Sequence, residues 1–170
     1  YYAARKSGED KYVTAAKEIA NQLSSQPRNE AGIFVDGTGS ECCKAGENMC
    51  ICEAYCSYPF YVEYETLNGG KERYNDIIAQ FNAIRANEYE KYSMDNEDDL
   101  VALAYYCASL IDSMELIEQP IYENYRRMQD LFKEVVAKAI SADVFNNVST
   151  ASMLFAYAIL KGCRMKALHT

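Results

Sequence analysis

Five of the seven cysteines of this chain fall within fifteen residues, at Cys42, Cys43, Cys50, Cys52 and Cys56, and Glu53 stands beside Cys52. Thiols at that density have chemistry to offer: as thiolates they hold metals, attack electrophiles or exchange disulfides. Each use makes demands on the neighbours. Structural zinc sites are built from C-x2-C knuckles in paired sets. Cys50-Ile51-Cys52 followed by Cys56 has another spacing, so no metal is expected. A cysteine nucleophile needs a base, ordinarily histidine, and the only histidine is His169, one residue from the end. The same shortage argues against a Ser-His-Asp site. Cys52 and Cys56 stand four apart and would share a helix face as small apolar side chains.

An odd cysteine count leaves at least one thiol unpaired in a monomer. Secretion would permit a bridge from Cys42 or Cys43 to another cysteine, and the sequence leaves disulfide and free thiol both open. The sequence does not fix the compartment; the cysteine content leans toward a secreted or extracellular one. A net charge of −8 and an isoelectric point near 4.7 leave no basic patch to neutralise phosphates, so nucleic acid is not an expected partner. An anionic membrane surface is disfavoured for the same reason, and no run of apolar residues is long enough for a membrane span. An acidic sugar polymer would be repelled at long range and would need a local cationic pocket. Tyr1–Lys6 has no apolar signal core and reads as the last turn of a helix whose beginning is absent.

The elements that must position these residues are helices. Tyr12, Ala15, Ala16, Ile19, Ala20 and Leu23 recur at helical spacing, and Pro27 follows as a stop. Residues 31–47 read as a long irregular loop. A helix over 49–67 contains Pro59, whose missing N–H predicts a kink near Tyr55, and Asn68-Gly69-Gly70 ends it. A third helix over 71–86 turns Tyr74, Ile77, Ile78, Phe81 and Ile84 inward. After a polar loop to Asp99, a fourth covers about 100–114. Pro120 opens a fifth, to about 140, and a sixth runs from Thr150, capped by Ser149, to Lys161, with Gly162 as its stop. The turn, charged pair, basic residue and tyrosine of Ser7–Tyr12 recur 62 residues on, at Gly69–Tyr74. The expectation is an all-α domain spanning 1–170, built from three antiparallel hairpins.

Several stretches carry a family resemblance. Met49, Tyr55, Pro59 and Phe60 fit a pattern close to Q-M-W-x-D-x-x-Y-M-x-x-P-F. Gln26-Pro27-Arg28 with Gly32-Ile33-Phe34, Gln80-Phe81-Asn82-Ala83-Ile84-Arg85, and the run from Ser149 to Arg164 fit three further motifs in the same order. On these residues the chain resembles the unsaturated glucuronyl and rhamnogalacturonyl hydrolases, glycoside hydrolase families 88 and 105. The resemblance implies an (α/α)6 barrel, of which this chain would form a half toroid lacking the N-terminal helices.

In that family an Asp protonates the C4=C5 bond of a 4,5-unsaturated uronic acid, water adds at C5, and the next sugar is released. The acid position here is Cys52, whose thiol is shorter, less acidic and a poorer hydrogen-bond partner. The neighbouring Trp position is Cys50, and Tyr55 keeps the family tyrosine. Met94–Leu100 stands where the family has W-A-R-G-N-G-W; here Asn96 is flanked by acids, which repel a substrate carboxylate. Cys50, Tyr55 and Asn96 are thus the substrate-binding positions implied by the resemblance. Glu53 is the substitute acid to weigh, although one helical residue lies about 100° around the axis.

The sequence therefore predicts a degenerate hydrolase-like domain acting as a structural or interaction module. The alternative is a hydrolase of unsaturated uronic-acid oligosaccharides that uses Glu53, Asp36 or Asp98. No cofactor is expected. The expected partners are a second copy or a missing N-terminal portion that completes the toroid, with carbohydrate as a further candidate ligand.

Overall fold

The computed structural model of the chain describes residues 2–35, 51–68, 73–117 and 122–168. Those residues form helices α1 (Tyr2–Ser7), α2 (Asp10–Ser24), α3 (Ala54–Asn68), α4 (Tyr74–Asn87), α5 (Glu97–Leu116), α6 (Tyr122–Ser141) and α7 (Thr150–Arg164). Short 3₁₀ turns at Ile51–Glu53 and Tyr89–Lys91 lead into α3 and follow α4. All six sequence-predicted helices are present, and none of the described residues forms more than an isolated β-bridge, Arg28 with Phe34.

The helices stand in two rows. α5 packs between α3 and α7 in one row, while α4 packs beside α6 in the other. Within a row the helices run the same way. Ser109 Oγ of α5 donates to Ala54 O at the start of α3, and Thr66 Oγ1 near the end of α3 donates to Leu116 O at the end of α5. In the other row Asn124 meets Asn75, and Arg85 Nε donates to Glu134 Oε1 at 2.8 Å, each pair 49 residues apart. Lys161 with Asp112 and Arg164 with Glu115 repeat that separation of 49 between α5 and α7. Of the two tyrosines that the offset of 62 pairs, Tyr74 is 1% exposed and Tyr12, on α2, is 38% exposed.

Between the rows lies an aromatic core. Phe81 packs edge-on to Tyr58 (ring centroids 4.8 Å apart) and against Tyr106 (5.8 Å). Phe34 closes one end against Tyr58 and Tyr89 the other against Tyr106. The segment after α2 is tied to this core by a side chain that imitates a strand. Gln80, itself buried, accepts from Phe34 N at 3.0 Å and donates to Gly32 O at 2.6 Å. Arg28 forks onto both carboxylate oxygens of Asp76 at 2.5 and 2.7 Å. The residues of Gln26–Phe34 and Gln80–Arg85 that carried the family resemblance therefore do packing work.

Three expectations need correction. Gly162 does not stop α7, which continues to Arg164. Its missing side chain admits Phe132, since a Cβ there would lie 2.7 Å from Phe132 Cε1. The stop is a Schellman turn: Lys166 takes φ 58°, with Ala167 N bonded to Gly162 O and Lys166 N to Cys163 O. The fourth helix starts at Glu97, because Asn96 caps it. The region read as helix from residue 49 enters through the 3₁₀ turn at Ile51–Glu53, and α3 then runs through Pro59. Residues 36–50, 69–72 and 118–121, and with them Asp36, Cys42, Cys43, Cys50 and Pro120, lie outside the described residues.

Candidate functional site

α5 is buried on nearly every side; its less buried positions include Tyr105 and Asp112, with Glu115 exposed near its end. Asp112 is the only charged residue between Leu100 and Met114. An ionised carboxylate on so apolar a helix needs partners, and it finds them on both neighbours. Its Oδ1 accepts from Tyr157 Oη and from Lys161 Nζ on α7, each at 2.7 Å. On the α3 side the Tyr55 ring lies tilted against Tyr105, centroids 5.5 Å apart, and its hydroxyl pKa is raised by burial and by the nearby Asp112 carboxylate.

The network continues along α7. Lys161 Nζ also reaches Glu115 Oε2 at 2.6 Å, and Arg164 Nη2 reaches Glu115 Oε1 at 2.7 Å. Burial by itself would lower the Lys161 pKa, yet its hydrogen bonds to Asp112 and Glu115 carry it above the ordinary lysine value. Lys161 is thus a fixed cation, unsuited to act as base or nucleophile near neutral pH. Together Glu115, Tyr157, Leu160, Lys161 and Arg164 line an open groove of about 540 Å³. Its one carboxylate, Glu115, already accepts from both of its cations, and Lys161 is shared with Asp112 behind it. The arrangement clamps α3, α5 and α7 together and offers polar groups beside a tyrosine ring and a leucine.

The clamp makes a measurable prediction. Asp112→Ala removes an acceptor shared by Tyr157 and Lys161, and leaves Lys161, 10% exposed, with Glu115 as its one carboxylate partner. A loss of about 2–3 kcal/mol is expected, read as a lowered urea midpoint at unchanged slope. Asp112→Asn, which keeps an acceptor oxygen, should cost about half as much.

Of the residues singled out from the sequence, the side chains of Glu53, Tyr55, Asn96 and Asp98 are among those described. Cys52 lies in the turn Ile51–Glu53 with its side chain outside what is described, and Cys50 is outside the described residues. Glu53 is half-buried, and its carbonyl accepts from Ser57 Oγ. Asn96 is the N-cap of α5: its Oδ1 accepts from Asp99 N at 3.1 Å, while Asp99 Oδ2 accepts from Ser93 N at 2.9 Å. Asp98 is exposed on the first turn. Glu115 sits 19 residues beyond Asn96, about 28 Å along the same helix, so the groove and the Asn96 position occupy opposite ends of α5. Of the positions whose side chains are described, Tyr55 belongs to the Asp112 cluster.

Of the cysteines whose side chains are described, Cys56 is exposed, Cys163 is partly covered, and Cys107 is buried with its pKa raised by burial. Among the described residues no three His, Cys, Asp or Glu side chains form a metal-binding group, and no helix is long and apolar enough to cross a membrane.

No protein-family model and no curated protein sequence matches this chain. A solved structure does: the chain is similar to a family 105 glycoside hydrolase from C. acetobutylicum, with a TM-score of 0.79 at 17% sequence identity. The match covers 99% of this chain and 56% of that one, so the chain spans little more than half the length of the enzyme it resembles. The two rows of parallel helices are accordingly the inner and outer rows of a partial α/α toroid, and the chain has a glycoside-hydrolase-like, all-helical fold.

Proposed function

We propose that this chain is a helical scaffold or interaction module that keeps the fold of a family 105 hydrolase and has lost its reaction. What supports this most is the segment Ser93–Asp99. Where the family resemblance expects an arginine motif for the substrate carboxylate, Asn96 and Asp99 are engaged in capping α5. Cys52 at the acid position adds a second loss. The open edges of the partial toroid are then surfaces for further helices, from a second copy or from the remainder of a longer ring.

The experiment is turnover of a 4,5-unsaturated uronyl disaccharide, followed by loss of the double-bond absorbance. No turnover above the buffer rate is expected. Turnover that Glu53→Gln abolishes would overturn the proposal.

A second reading, hydrolysis of unsaturated uronic-acid oligosaccharides by rearranged chemistry, has one observation in its favour. The groove between α5 and α7, with Asp112 behind it, brings two carboxylates and two cations into one network. Against it, every one of those charges is already paired, and the groove lies at the far end of α5 from Asn96. On that reading turnover would be lost in Glu115→Gln.

A further inference from the structure

We draw no further inference here: the strongest candidate, the open groove between α5 and α7 whose wall includes the exposed Tyr157 and Leu160, belongs to the site already described, and nothing in the structure shows what covers it.

Discussion

Phe81→Ala is expected to destabilise the chain by about 3–5 kcal/mol, enough to remove a large part of the stability of a domain this size. Phe81 is fully buried, and its ring is the middle of the aromatic series Phe34, Tyr58, Phe81, Tyr106 and Tyr89. That series spans the layer between the two helical rows, with Tyr58 on α3, Phe81 on α4 and Tyr106 on α5. The cost has two parts: the lost transfer energy of a benzyl group, and a cavity that the hydrogen bonds around it keep from collapsing. Tyr106 Oη donates to Phe81 O at 2.9 Å, and Tyr58 Oη to Gln80 Oε1 at 3.3 Å, so both flanking rings are held in place. Urea unfolding of the variant should show a much lower midpoint at a similar slope. A loss under about 1 kcal/mol would mean that the rows are not held together through this layer.

Alkaline pH is expected to unfold the chain cooperatively, beginning near pH 10. Tyr58, Tyr89 and Tyr106 all have raised pKa values, chiefly because burial penalises the phenolate. In the unfolded chain they ionise near the ordinary tyrosine value of about 10. Above that pH the folded state holds more protons than the unfolded one, so stability falls as pH rises, by about 1.4 kcal/mol per unit for each group. Three such groups give a slope of about 4 kcal/mol per unit. The raised pKa of Lys161 acts with the same sign: its contribution is complete below the unfolded lysine value and fades as pH climbs through the folded one. Urea midpoints should be flat to about pH 10 and then drop steeply. If these three phenols ionised progressively while helicity persisted, their burial would be wrong.

The helices were legible in the sequence because their periodicity is local. Tyr74, Ile77, Ile78, Phe81 and Ile84 recur at a spacing that only a helix can turn inward, and all five are buried. What was not legible is what depends on the register between helices. Asp112 meets Tyr157 and Lys161 across separations of 45 and 49 residues. The signal available was a lone acid in the apolar run of α5, together with Lys161 and Arg164 in the last turn of α7. Gly162 could be read as a stop or as a place where another side chain presses close, and only the position of Phe132 decides between them. The end of α7 lies instead at Lys166, a residue type that seldom takes a positive φ. Tyr89 lay in a stretch read as polar loop; its ring is buried because Arg85 and Lys138 lie over it and Tyr106 beside it.

The candidate site was half legible. Tyr55 was marked through the family pattern, and it does join the Asp112 cluster. Asn96, a substrate position by the family resemblance, caps α5, a role that the order Asn96-Glu97-Asp98-Asp99 permits. Residues retained from the family pattern, among them Arg28, Phe34, Gln80 and Phe81, bind helices and loops to one another. A pattern dominated by packing residues transmits a fold more faithfully than it transmits a reaction.

That distinction is tested most directly by putting the acid back. Cys52→Asp places a carboxyl group at the position that the family resemblance assigns to the acid and leaves Asn96, Asp98 and Asp99 as they are. The variant, followed with a 4,5-unsaturated uronyl disaccharide, should keep the wild-type melting temperature and still show no turnover, because a lone acid cannot hold a substrate carboxylate beside an acidic helix entry. Measurable turnover gained by that single substitution would contradict the account, since it would mean that the rest of the catalytic site is intact.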